Sequence, residues 1–180
     1  MMSLFYTGKG DKGASFIGKK KYPKDSPIIE TLGDLDELNS LLGVIRSTAK
    51  RDLSQKLFLV QESLFIIQAR VAWLMSKKFH SPQITKAKVR AMEQEIKGME
   101  KKVKPDRGFI ISGENEEASW LDLARSVSRR AERSLVRLNK KHKLPQELLT
   151  YLNRLSSYLY ALARLETAKA KTKEKKPRYR

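Results

Sequence analysis

The chain has no cysteine among its 180 residues, which excludes a disulfide framework, a zinc–thiolate site and a cysteine nucleophile together. It has only two histidines, His80 and His142, far apart and in polar surroundings. Neither has metal-motif spacing, and both read as solvated loop residues. No apolar run approaches the ~18 residues of a membrane span, and Met1-Met2-Ser3-Leu4 lacks the charged-then-apolar layout of a signal peptide. A cytoplasmic protein is expected. Acidic residues are scarce, 20 against 38 Lys and Arg, and the formal charge of +18 would attract any polyanion: nucleic acid, an anionic membrane or a triphosphate. Seven of the basic residues crowd into the tail 169–180 against Glu174 alone, a stretch that reads as a solvated extension. Single-strand binding needs aromatics interleaved with the charge, and the tail has only Tyr179. A helical nucleic-acid-binding protein is therefore poorly supported, and neither a specific nucleic acid nor a membrane is expected as a partner.

What is present is mostly helical periodicity. Leu32, Leu35, Leu38, Leu42 and Ile45 form one apolar stripe starting at about Thr31. Leu53, Leu57, Val60, Leu64, Ile67, Val71 and Leu74 form a second, with 4-3 alternation. A third helix is predicted over about 85–103, capped by Thr85, before Lys104-Pro105-Asp106-Arg107-Gly108 breaks the pattern. After the short apolar turn Phe109-Ile110-Ile111-Ser112-Gly113, a fourth runs over about 116–140 with a small inner face: Ala118, Leu121, Ala124, Ser128, Ala131, Leu135 and Leu138. The fifth begins near Pro145, taken as its first helical residue, and aligns Leu148, Leu152, Leu155, Leu159 and Leu162. With no alternating strand pattern, these spacings predict an all-α, antiparallel five-helix bundle. It is read as one domain over 1–168, with a phosphate-binding N-terminal segment over 1–30 and the basic tail beyond.

Glycine is concentrated before the first helix, in Thr7-Gly8-Lys9-Gly10-Asp11-Lys12-Gly13-Ala14-Ser15. Glycines let successive backbone N–H groups turn onto an anion, so this is a candidate phosphate-holding loop. Gly8 and Gly13 have Walker A spacing, yet Ala14 stands where that motif needs lysine and no helical pattern follows Ser15. A flexible glycine-rich N-terminus is the plain alternative.

The fourth helix carries Arg125, Ser128, Arg129, Arg130, Glu132, Arg133 and Arg137, of which Arg125, Arg129 and Glu132 share one stripe. The fifth carries a polar stripe of its own, Asn153, Ser157, Tyr160 and Arg164. Two such stripes on neighbouring helices suggest a shared polar site instead of a solvated, salt-bridged face. Guanidinium groups suit phosphate oxygens, and an Asn side chain suits a purine edge, so the site would be a nucleotide pocket.

Six blocks resemble one family in order and spacing: Tyr6-Thr7-Gly8-Lys9-Gly10-Asp11-Lys12-Gly13, Pro23-Lys24-Asp25, Asp36-Glu37-Leu38-Asn39, Phe109-Ile110, Arg129-Arg130-Ala131-Glu132-Arg133 and Tyr151-Leu152-Asn153-Arg154-Leu155-Ser156. They are similar to those of the PduO-type ATP:cob(I)alamin adenosyltransferases, from Tyr6 to about Arg164. The resemblance implies a homotrimer with ATP between subunits, the corrinoid beside it, and transfer of the 5′-deoxyadenosyl group of ATP to the cobalt of reduced cobalamin with release of triphosphate. It places ATP contacts at Thr7, Gly8, Lys9, Gly10, Ser15, Phe16, Lys24, Arg129, Arg130, Ala131, Glu132, Arg133 and Asn153. Arg129 would stabilise the departing triphosphate, and Asn153 with Glu132 would orient the nucleoside. Asp36 and Arg125 would pair across the subunit boundary, and Phe109 would lie over the corrin and displace its lower axial ligand. Mg2+ would ride on the phosphates. A reductase and an adenosylcobalamin-dependent enzyme would be the functional partners.

The chain departs from the family pattern on the corrinoid side. Ile110-Ile111-Ser112-Gly113-Glu114 replaces an I-L-P-G-G run, and Ser157 and Tyr160 replace an aspartate and a phenylalanine. An ATP-binding trimer without catalysis is the alternative that these changes leave open.

Overall fold

The computed structural model describes residues 5–17, 20–76, 81–103 and 108–179. His80 and the helix-breaking residues 104–107 lie outside that set. Five helices follow one short hairpin: β1 (Ala14–Ile17), β2 (Lys20–Pro23), α1 (Pro27–Thr48), α2 (Arg51–Trp73), α3 (Lys86–Val103), α4 (Glu116–His142) and α5 (Gln146–Lys169). The hairpin corrects the purely helical expectation. It pairs antiparallel, with Ala14 opposite Pro23 and Phe16 opposite Lys21. A four-residue strand is too short for alternation to be read from sequence, and its stability comes from tertiary contact: Ala14 is buried, and the Tyr22 hydroxyl donates a 2.9 Å hydrogen bond to the Met75 carbonyl just past α2.

Helix starts follow local chemistry. α1 begins four residues earlier than its leucine stripe, because Pro27 sits in the first turn, where its missing N–H costs nothing, after Ser26 at the N-cap. Thr85 does cap α3, accepting from the Lys88 amide at 3.3 Å. Asn115 caps α4, with Oδ1 accepting from the Ala118 amide at 2.9 Å. Pro145 proves to be the N-cap of α5 and not its first helical residue.

The apolar stripes meet in one core. The predicted inner residues of α4 and α5 are all buried, as are those of α2 up to Val71. Leu74 closes α2 as a C-cap and is only partly buried. Side-chain pairs fix the helix directions. Glu30 with Arg137 and Asp34 with Arg130 set α1 antiparallel to α4, and Asp122 with Arg164 and Glu132 with Asn153 set α4 antiparallel to α5. By contrast, Glu93 with Arg154 and Glu95 with Tyr158 place α3 parallel to α5. Consecutive helices alternate in direction, but a closed ring with an odd number of helices must contain one parallel neighbouring pair.

Candidate nucleotide and corrinoid site

Residues 125–140 of α4 present two different faces. Toward α1, Arg130 pairs with Asp34 at 3.2 Å and with Glu37, and Ser134 hydrogen-bonds Asp34. Its guanidinium is held more firmly protonated by the Glu37 hydrogen bond. Away from α1, Arg129 and Arg133 are exposed and make no ion pair or hydrogen bond among the described residues. They line a cleft of about 450 Å³ with Glu132, Val136, Arg137, Lys140 and Asn153. Arg137 pairs with Glu30 at 2.8 Å, which leaves Arg129, Arg133 and Lys140 as a cationic stripe spaced i, i+4, i+11 on one side of the helix.

Asn153 stands opposite that stripe in a chain of polar contacts. Its Nδ2 donates to Glu132 Oε1 at 2.8 Å, its Oδ1 accepts from Arg154 Nη1 at 2.8 Å, and Arg154 Nε donates to Glu93 at 2.8 Å. Both ends of the amide are thereby oriented, and charged partners make these bonds stronger than neutral ones. A second cleft, of about 340 Å³, opens on the other side of Arg129, between α3, α4 and α5. Ile96, Met99, Val103, Tyr160 and Ala161 give it an apolar wall, and Arg125, Arg129, Ser156, Ser157 and Arg164 a polar one. Arg129 belongs to both clefts.

The N-terminal loop is shaped by close approach. Gly13 has φ +73°, and a Cβ at Gly10 would stand 3.2 Å from the Ala14 carbonyl and 3.4 Å from the Lys24 ammonium. Gly10 thus lets Lys24 reach over the loop. The Gly13 amide donates to Gly10 at 3.2 Å and the Lys24 amide to Gly13 at 3.0 Å, closing the turn at the foot of the hairpin. Thr7, Gly8 and Lys9 are exposed, Ser15 is partly buried and Phe16 is exposed. A strand, not a helix, follows the loop, so it is not a Walker A motif. Among the described residues no hydrogen bond or ion pair joins this loop to the α4 arginines.

Phe109 is 77% exposed. It is therefore no core residue. Its loop is anchored through the residues by which the chain departs from I-L-P-G-G: the Ser112 hydroxyl donates to Asp122 at 2.9 Å, and Glu114 pairs with Lys175 at 2.9 Å.

The family model for cobalamin adenosyltransferase matches residues 5–166. The chain belongs to the cobalamin adenosyltransferase family. It is 34% identical over 170 residues to the corrinoid adenosyltransferase of Bacillus subtilis, covering 92% of this chain and 87% of that protein. It is 37% identical over 170 residues to corrinoid adenosyltransferase PduO of Salmonella typhimurium, covering 92% of this chain and 50% of that protein, so it spans about half of that relative. Among solved structures it is similar to a phenylalanine-to-histidine variant of the PduO-type ATP:corrinoid adenosyltransferase from Lactobacillus reuteri complexed with cobalamin and ATP. That match has TM-score 0.89 and 30% identity, and it covers 97% of this chain and 96% of that one.

Within this member of the family, the structure gathers Arg129, Glu132, Arg133 and Asn153 at one cleft and Arg125 and Arg129 at the other. Thr7, Gly8, Lys9, Gly10 and Lys24 form a separate group, with Ser15 and Phe16 on β1. Two residues of the helix-four block stand elsewhere: Ala131 is fully buried in the core, and Arg130 is engaged by α1. Asp36 and Arg125 do not meet within one chain, because Asp36 is exposed on α1 and Arg125 lies 3.8 Å from Asp122 on its own helix. Arg164, placed by spacing in the polar stripe of the fifth helix, is buried between Asp122 and Glu174. The tail is no solvated extension at that point, since Lys175 pairs through its backbone with Ile111.

Sequence reasoning passed over Lys140 and Arg154. Continuing the Arg129 spacing by another two turns would have found Lys140. Arg154 pairs with a carboxylate on α3, and no local pattern signals that.

Proposed function

We propose that this chain transfers the 5′-deoxyadenosyl group of ATP to the cobalt of reduced cobalamin, giving adenosylcobalamin and triphosphate. The observation that carries the reading is the unpaired stripe Arg129, Arg133 and Lys140 facing an Asn153 already oriented by Glu132. In this reading the stripe receives the triphosphate and Asn153 the nucleoside, while Thr7–Gly10 and Lys24, supplied by a neighbouring copy, close over the phosphates. Family membership supports the reaction; the residue assignments are part of the proposal.

Cobalamin is a substrate here. The electron pair of its Co(I) forms the bond to C5′, the C5′–O bond to triphosphate breaks, and that bond's electrons leave on the triphosphate as cobalt becomes formally Co(III). No proton has to be moved by a side chain, which suits a site without a histidine or cysteine constellation. The protein's contribution is position and charge. Arg129, at the junction of both clefts, meets the negative charge that grows on the leaving oxygen. Phe109 offers an exposed apolar ring to the corrin face and would keep a lower axial ligand away. Mg2+ is proposed to arrive with the nucleotide, since among the described residues no group of three or more His, Cys, Asp and Glu could hold a metal.

The loop and the arginine stripe lie on surfaces that no hydrogen bond or ion pair connects among the described residues, which supports a site shared between copies; that the assembly is a homotrimer is part of the proposal and rests on the family resemblance. Its boundary would join Asp36 of one copy to Arg125 of the next. A cytoplasmic setting, with ATP at hand, is part of the proposal; no described helix is long and apolar enough to cross a membrane. The non-catalytic alternative is weaker, because Ser112 and Glu114 are tied into specific contacts and the corrinoid-side loop has not simply lost its support.

The deciding experiment is an absorption spectrum of the protein with Mg-ATP and chemically reduced cobalamin. Appearance of a light-sensitive cobalt–carbon bond together with free triphosphate is expected. Tight ATP binding without that product would favour the non-catalytic trimer.

A further inference from the structure

Arg164 is 5% exposed and its charge is met from two sides. Nη2 donates to Asp122 on α4 at 2.6 Å, and Nη1 pairs with Glu174 of the tail at 2.7 Å. The guanidinium also lies 4.9 Å from the centroid of the Tyr160 ring. A buried guanidinium with one carboxylate removed would be left partly uncompensated, so the second carboxylate is strongly held. Glu174 is the tail's single acid among seven bases, and it is this residue that is drawn in.

Seating Glu174 brings the next residue against the Phe109 loop. The Ile111 amide donates to the Lys175 carbonyl at 2.8 Å, and the Lys175 ammonium meets Glu114 at 2.9 Å. From the other side Asp122, already bound to Arg164, accepts from Ser112 at 2.9 Å. Three anchors within four residues, at Ile111, Ser112 and Glu114, thus lead back to one guanidinium. Phe109 itself is too exposed to be placed by its own packing, so these backbone and loop anchors must set where its ring stands.

We propose that Arg164 and Glu174 form a clamp that positions the Phe109 loop, which makes the basic tail a working part of the corrinoid side of the site. Arg164 and Glu174 are positioning residues: they act on the substrate only through the loop. The role of Phe109 rests on the function proposed above, whereas the clamp itself rests on the contacts just described. Because Arg164 also lines the apolar cleft beside Arg125 and Arg129, the same side chain ties the loop to the floor of the site.

The test uses the full chain with Glu174→Gln, Glu174→Asp and Ser112→Ala, all at positions that are not buried, so that the bundle keeps its fold. In Glu174→Gln, hydrogen exchange at the Ile111 amide should accelerate by about tenfold or more. Affinity for Mg-ATP should stay within about twofold, while kcat/KM for the corrinoid falls on the order of ten- to hundredfold, the scale of a misplaced positioning group. The absorption spectrum of bound cob(II)alamin should shift toward that of the corrinoid with its lower ligand attached. Glu174→Asp should restore part of each effect, and Ser112→Ala should reproduce the spectral change more weakly. Unchanged exchange at Ile111 would overturn the clamp. Faster exchange with unaltered corrinoid kinetics and spectrum would overturn its positioning role, as would equal damage to ATP and corrinoid binding. If wild-type protein makes no adenosylcobalamin but its cob(II)alamin spectrum still depends on Glu174, the catalytic reading fails and the clamp stands.

Discussion

Arg130 and Asp34 lie 3.2 Å apart across the α1–α4 contact, while Arg129, one residue earlier in the same block, has no such partner among the described residues. A turn of 100° along a helix separates a structural ion pair from a cation free to meet a ligand. That difference orders the expected effects of substitution.

Replacing Arg129 by Ala should weaken ATP binding or turnover by about ten- to hundredfold, the usual scale for a lost charge-assisted phosphate contact. Arg129→Lys should restore the charge but not the paired N–H donors. Arg130→Ala should instead lower the unfolding temperature and leave affinity for ATP nearly intact. Calorimetric titration and thermal unfolding of both variants check this, and equal loss of ATP affinity in the two would remove the distinction.

Phe109→Ala should spare ATP affinity and impair the corrinoid step, with little change in stability, because the ring is exposed and contributes little to the core. Separate titrations with Mg-ATP and cob(II)alamin read the two effects. A large loss of stability would contradict the exposure seen here.

The loop at Thr7–Gly13 should gain hydrogen-exchange protection when Mg-ATP is added, since its glycines carry a high ordering entropy and its exposed residues bury little surface to offset it. Lys24→Ala should reduce that gain while the helices keep their protection. Equal protection with and without nucleotide would make the loop a purely structural element.

Asp36→Arg alone should weaken assembly and activity together, and combining it with Arg125→Asp should recover part of both. If the pair is partly desolvated between subunits, leaving one charge unmatched costs about 3–5 kcal/mol. Sedimentation and activity on the single and double variants decide it. Additive losses without recovery would show that the residues never meet, and an active monomer would refute the shared site.

Burial pushes the Tyr151 hydroxyl up to about 12, and Tyr158 is raised further by burial and its 2.8 Å hydrogen bond to Glu95. The folded chain therefore holds these protons beyond pH ~10, where an unfolded tyrosine releases its own. Their stabilisation is complete below that pH and is lost as pH rises through the folded values. Denaturant unfolding between pH 8 and 12 should show stability declining above about pH 10, less steeply in Tyr158→Phe. Identical declines in both proteins would assign the loss to other groups.

The sequence by itself determined the five helices, since their buried stripes recur at helical spacing and each stripe must find a partner face. It also marked the arginine block, Asn153 and the glycine loop, because charge and glycine crowded into short segments are local signals. Tertiary structure decided what no local pattern encodes. It turned Arg130 into an α1 clamp and Ala131 into core, showed the hairpin through Tyr22 and Met75, and set α3 parallel to α5. It also joined Arg164 to Asp122 and Glu174, converting an apparent site residue and an apparent solvated tail into one anchored unit. Spacing along a helix says which residues share a face; only packing says whether that face meets solvent, another helix or a buried carboxylate.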